Sequence, residues 1–481
     1  MKAQTRGRRG AGGWLVALAA VLLGGVLIWR FGPGGAGTAT PPNTTQVTAR
    51  FATTPTAAAA EADAPLRVEV TVILAATGQK GPRVLPLVDL QLRDAVGQPA
   101  HYGPTAGARL PMNVTSGVNG WRADLSAPSV PGRYHAHVFV SVPGSADQEF
   151  DLPSPTLEVG PAATYTGGLV YTLNGNLWRI DPAGQHPRRL TFYNEDGRAD
   201  YPAWAPDGSR IAFARTLAAA ADQIPNSEIW TVAPDGGQPQ ALVARRPDED
   251  LTMPAFAPDG TIYFTSDRTF DPATGGTPTM DALTKAQESW NLDRQTSGAT
   301  AARQAVVPTA QMAHLSHDGR LLTYLAAPTA LAESYIPPTH TLMLADADGS
   351  NARVVVPADA FSNVLAPHLA PDGTRIAFAA VNPSGVPDGN TLLRLLGLEP
   401  LPVRANGVPW DIYLVAATGG PVTRVTQRNA DQPWPAWSPD GQTLAFLDDR
   451  GLYLLDLSKA GAEPQKIGPG SSHGQLAWYA P

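Results

Sequence analysis

Two histidine pairs and one serine are the residues of this chain whose types and spacing suit chemistry. His135 and His137 stand two apart in "GRYHAHVFV", so a strand sets both imidazoles on one face, as a metal pair requires. His101 is the only other histidine of that region, and no cysteine exists to complete a copper centre of the blue type. The pair therefore reads as a polar, solvent-facing side of its strand. His314 and His368 occupy one position of a repeated segment whose other copies carry Ala203, Ala255 and Ala436. Neighbouring copies then bring two imidazoles towards a central channel. Without a matching carboxylate or third histidine, they are expected to pack against neighbouring repeats or to bind channel water rather than a metal. Ser472 lies in "GSSHG", formally a G-x-S-x-G match. Such a nucleophile needs a strand-to-helix turn, with Asp and His partners placed after it. Seven residues follow Gly474, and none is Asp or His. No H-E-x-x-H, phosphate-cradling glycine loop or acidic metal cluster is found either. No catalytic residue, metal or cofactor is expected.

Composition narrows the function classes further. Charged residues make up 16% of the 481, with a formal net charge of −7. That mild acidity argues against nucleic-acid binding, which wants a basic face. With no cysteine at all, disulfides, thiolate metal sites and lipoprotein-type acylation are excluded. A basic tail, residues 1–12, with Lys2, Arg6, Arg8 and Arg9, precedes an uncharged 17-residue run from Gly13 to Trp29. Residues 13–30 read as a transmembrane anchor with the N-terminus inside and the body extracytoplasmic, a cleaved signal segment being the alternative. Residues 31–64, rich in Gly, Ala, Thr and Pro, read as a disordered linker.

From Pro65 to Pro161 the pattern turns to period-two strands, among them "LRVEVTVILAA", "GWRADLSAP" and "GRYHAHVFVSV", separated by Gly and Pro. Residues 65–161 are expected to form a β-sandwich of immunoglobulin type. The "VPGRYHAHVFV" stretch resembles the closing strands of FixH/YtkA-like extracytoplasmic domains.

Residues 164–481 repeat. Aligned on Asp-Gly, five copies read "YPAWAPDGSRIAFAR", "MPAFAPDGTIYFTSD", "MAHLSHDGRLLTYLA", "APHLAPDGTRIAFAA" and "WPAWSPDGQTLAFLD". Asp207, Asp259, Asp318, Asp372 and Asp440 thus recur 52 to 68 residues apart. Each copy reads as strand, tight turn, strand, because Asp-Gly tolerates the positive φ angles of a hairpin turn. Third strands such as "EIWTVAPDGG" and "DIYLVAATGG", and fourth strands such as "PRRLTF" and "VTRVTQ", number six each, one more than the hairpins. The surplus resolves if "GGLVYTL", from Gly167, pairs with "GQLAWYAP" at the C-terminus. Six four-stranded blades then close into an all-β propeller, in which radial repetition removes exposed sheet edges.

"PAWSPDGQTLAF" followed by "DIYLVAATGGPVTRVT" resembles the TolB-type propeller repeat, and the likeness recurs in register over two-thirds of the chain. His317 replaces the turn proline of the third copy, and Leu315 and Leu369 replace the tryptophan. The resemblance implies a scaffold role in cell-surface assembly or sensing. It does not imply the Tol–Pal system, because an anchor and an immunoglobulin-like unit stand where TolB proper carries its N-terminal domain. Related propellers also occur fused to serine peptidases of the prolyl-oligopeptidase type; no hydrolase domain is recognisable here.

The extra residues fall in second-to-third loops, at about 216–226, 270–287, 328–338 and 382–408, on the face opposite the Asp-Gly turns. The last carries Leu392, Leu393, Leu395, Leu396 and Leu398, too apolar for a solvated loop. They read as a lid over their own blade or as a contact for a partner protein. The expected function is non-catalytic binding of an envelope protein or peptide at this rim. The alternatives are a small-ligand or metal sensor in the channel, and an envelope hydrolase or lyase working at the channel mouth.

Overall fold

The computed structural model describes residues 45–479 apart from 54–58, 75–84, 104, 108, 116–119, 143–144, 194–196, 218–226, 247–248, 268–289, 297–301, 328–339, 382–409 and 472–473. The basic tail, the expected anchor, the enlarged loops apart from the ends of their ranges (216–217 end the strand Ile211–Leu217), all five candidate leucines from Leu392 to Leu398, and Ser472 lie outside these residues. The described residues are all-β, with no helix among them.

Residues 46–160 build two larger sheets and a two-stranded one, His101–Tyr102 with Thr105–Ala106. Of the larger two, one has the order Gln46–Thr53, Pro65–Ile73, Gly120–Ser126, Asn113–Val114; the other runs Ala59–Glu61, Gln148–Gly160, Gly132–Ser141, Leu87–Asp94, Leu110–Pro111. Period two decides which side chains are buried: Leu66, Val68, Val70 and Val72 lie inside while Arg67, Glu69 and Thr71 alternate outside. The expectation of linker throughout 31–64 is corrected here. Gln46–Thr53 and Ala59–Glu61 are strands, and Ala59 pairs in parallel with Glu158. Their alternation is short, and the partner of Ala59–Glu61 is remote in sequence, so local composition masks them. Asp63 joins this region to the next. Its carboxylate accepts from the Ser129 hydroxyl and, at 3.3 Å, from Arg188, while its carbonyl accepts the Arg189 amide at 3.1 Å.

Residues 168–479 form six four-stranded antiparallel sheets. Five are meanders in sequence order. Their first strands are Gly197–Trp204, Asp250–Phe256, Ala310–Leu315, Asn363–Leu369 and Trp434–Trp437. In the sixth, Leu476–Tyr479 takes the first place beside Gly168–Leu173, with Tyr171 opposite Leu476 and Leu169 opposite Trp478. Each of these inner strands contacts the next, and Leu476–Tyr479 returns to Gly197–Trp204, so they make a ring. The fold is propeller-like. Its core lies in wedges between successive sheets: Leu177 and Leu190 pack on Phe213, and Leu342 packs with Phe378 and Tyr413.

The Asp-Gly turns hold the sheets' second face tight. Only glycine takes the left-handed conformation there, at φ +66° for Gly208 and +67° for Gly441. The aspartates act as acceptors instead: Asp207 takes the Ser209 amide at 3.0 Å and Asp440 takes the Gln442 amide at 3.0 Å. These hydrogen bonds, with those from the Ser209 and Ser438 hydroxyls first, hold both carboxyls below their usual range. They turn chains and are not poised to take protons.

Candidate functional site

The six inner strands enclose a cavity of about 650 Å³, each contributing side chains to its wall. Four of these strands carry a break that the repeat does not announce. Tyr201, Met253, Met312 and Ala366 hold the same repeat position and all adopt positive φ, between 50° and 56°. Pairing with the second strand slips across each: Asp200 to Ala203, Thr252 to Ala255, Gln311 to His314, Leu365 to His368. Pro202, Pro254 and Pro367 follow three of the four, and proline has no N–H to give the ladder. Two of the freed amides bond to the neighbouring sheet instead. Tyr201 donates to Gln475 Oε1 at 3.1 Å, and Met312 donates to Thr265 Oγ1 at 3.3 Å. Each bulge re-aims the following residues, His314 and His368 among them.

The structure brings these two histidines together, with ring centroids 4.0 Å apart and planes tilted by 35°. The Leu369 amide donates to His314 Nδ1 at 3.2 Å, so a neutral ring carries its proton on Nε2. Burial pushes His314 down to about 4; burial, with the neighbouring imidazole second, holds His368 well below the ordinary imidazole range. Both are neutral at pH 7. Among the described residues, no group of three or more histidines and carboxylates is arranged to hold a metal ion.

The rest of the wall mixes aromatic side chains with alanines and prolines, and His317 also lines it. It includes Trp204, Trp434, Trp437, Trp478, Tyr201 and Tyr479, and no Lys, Arg, Asp or Glu among the described residues. Trp204 stacks on Tyr479 at 5.3 Å, and Trp437 Nε1 donates to the His368 carbonyl at 2.9 Å. Sequence reasoning missed these aromatics as a group. Each belongs to an ordinary strand pattern, and only the ring shows which face meets the axis.

His135 and His137 form a second cluster, away from the ring. His137 is 5% exposed, which corrects the expectation of a solvent-facing pair. Gly132–Ser141 is an interior strand of its sheet, and the Arg109 guanidinium lies 3.5 Å above the neighbouring Phe139 ring. Asp151 Oδ1 contacts His135 Nε2 at 2.8 Å and His137 Nδ1 at 3.1 Å, and Glu149 lies 3.2 Å from His137 Nε2. These bonds, His137 first, hold the Asp151 carboxyl below its usual range. The partnership is invisible in sequence because the carboxylates sit on the neighbouring strand.

No family model matches the chain. Among solved structures, it is similar to TolB from Acinetobacter baumannii, at 13% identity over 72% of this chain and 80% of that one, with a TM-score of 0.44. A putative TolB from Agrobacterium tumefaciens matches at 14% identity over 70% and 94%, with a TM-score of 0.37. An oligogalacturonate lyase in complex with manganese matches at 13% identity over 61% and 70%, with a TM-score of 0.38.

Proposed function

We propose that the chain is a six-bladed TolB-like propeller behind an immunoglobulin-like domain, held at the membrane by residues 13–30 with its body extracytoplasmic. In this reading it is a non-catalytic binding protein that engages an envelope protein or peptide through the loop-rich rim and the mouth of the central cavity. One observation supports the reading: the described wall is rich in Trp and Tyr and carries no Lys, Arg, Asp or Glu, and the paired imidazoles of His314 and His368 are held neutral. Such a wall stabilises an occupant by burial and fixes it with a few polar groups. Leu392, Leu393, Leu395, Leu396 and Leu398 are proposed to extend this surface at the rim.

The test is crosslinking and capture of envelope partners by the full-length chain, compared with a chain lacking residues 386–406. The deletion is expected to lose a specific partner while leaving the unfolding midpoint unchanged. If every partner is retained, the apolar segment covers only its own blade, and the rim is not the binding surface.

A further inference from the structure

We propose that Asp63 is a pin that locks region 46–160 and the propeller-like ring into one rigid body at a fixed angle. Asp63 is 3% exposed and holds left-handed backbone at φ +61°, which aspartate tolerates better than most residues. On one side it is bound to region 46–160. The Ser129 hydroxyl donates to its carboxylate, and Ser129 Oγ in turn accepts the Gly103 amide at 2.6 Å. Its neighbours are held as well: the Ala62 amide donates to the Gly160 carbonyl at 2.9 Å, and the Ala127 amide to the Ala64 carbonyl at 2.7 Å. On the other side it is bound to the ring. Arg188 donates to the carboxylate at 3.3 Å, and the Arg189 amide donates to the Asp63 carbonyl at 3.1 Å. Arg188–Arg189 is the outermost strand of the sheet that Leu476–Tyr479 completes.

Two further ties flank the pin. Gly103 packs directly on Phe192, so closely that an added Cβ would fall 2.4 Å from the ring edge. Glu61 Oε1 lies 2.8 Å from His186 Nδ1. The connector between the two parts is held too. Arg179, 7% exposed, donates to the carbonyls of Tyr165 and Gly167 at 2.7 Å each, and to that of Pro234 in the next sheet at 2.8 Å.

Relative motion is the default for two parts of one chain joined by a short connector. Here a hinge motion would part Asp63 from Arg188 and leave a buried carboxylate without its charged partner. The pin also covers a vulnerable place. An outermost strand offers open N–H groups to other chains, and the Asp63 carbonyl takes the one at Arg189. A partner touching both parts therefore meets one preformed surface, with little ordering left to do on binding.

The chain has no cysteine, so two introduced ones carry spin labels without background. The full chain in detergent micelles is labelled at Val96→Cys, in region 46–160, and Gln465→Cys, on the ring, both exposed. Pulsed electron double resonance reads the distance distribution. A second pair, Gln240→Cys with Gln465→Cys, lies within the ring and gives the width due to the labels alone. One peak is expected from the first pair, no broader than that of the ring pair. Asp63→Asn keeps a side chain that tolerates left-handed backbone but removes the charge. Combined with Arg188→Ala, it is expected to broaden the first distribution about twofold while the ring pair stays unchanged. A broad or multi-peaked first distribution with the pin intact overturns the inference, as does an unchanged width in the double replacement. The comparison of the two label pairs needs no change at the pin, so it decides even if the double replacement does not fold.

Discussion

Thr172 and Gln475 lie 303 residues apart in the chain, yet the Thr172 amide donates to the Gln475 carbonyl at 3.0 Å. The last strand of the protein thereby completes the sheet begun by Gly168–Leu173. Leu476, 1% exposed, fills the wedge beside Tyr171 and Leu447. Leu476→Ala is expected to cost about 2–5 kcal/mol in urea unfolding, as a buried leucine truncation does. A cost below about 0.5 kcal/mol contradicts closure by this strand.

Gly208 and Gly461 both hold left-handed backbone, at φ +66° and +71°. A Cβ at Gly461 meets open space, whereas one at Gly208 runs into the Tyr479 ring on the cavity wall. Gly461→Ala should therefore cost only the conformational penalty of about 1–2 kcal/mol. Gly208→Ala should cost about 1–3 kcal/mol more, through overpacking. Chemical unfolding of the two variants side by side checks the difference; equal losses refute the contact.

Between pH 6.5 and about 4 the unfolded chain takes up protons that the half-buried His314 refuses, and His368 refuses them as well. Both folded pKa values lie below their unfolded ones, so stability falls as pH drops through this window. For His314 the full loss is up to about 3 kcal/mol, at about 1.4 kcal/mol per pH unit. His314→Phe removes that titration, so unfolding curves from pH 7 to 4 should show a flatter slope for the variant. Parallel slopes contradict the neutral imidazole.

Arg303 and Glu249 form an ion pair at 2.6 Å, their side chains 8% and 0% exposed. Removing one partner strands the other charge in the interior. Glu249→Leu and Arg303→Met singly are thus each expected to lose about 3–5 kcal/mol, and the two together to recover most of it. A double-mutant cycle by urea denaturation measures this. Additive losses rule out coupling.

The repeat was legible because its signals are local. Period-two strands around Phe213 and Phe446 and the Asp-Gly turns at Asp207 and Asp440 depend on a few adjacent residues. The four bulges were not, since the conformations of Tyr201 and Met312 are set with bonds from other sheets, to Gln475 and Thr265. The strand Gln46–Thr53 was hidden by the linker composition around it, and the burial of His137 by partners on neighbouring strands. Equal repeat positions did place His314 next to His368. The aromatic wall stayed out of reach, because Trp434 and Trp478 become neighbours of one cavity only after the ring closes.

Site-specific photocrosslinking in intact envelopes tests the binding role most directly. A benzophenone amino acid is placed at Trp434, on the cavity wall, and separately at Val354, exposed on an outer strand. Binding at the cavity mouth is expected to give a discrete adduct from position 434 and none from position 354. An adduct from position 354 alone, or none from either, contradicts it.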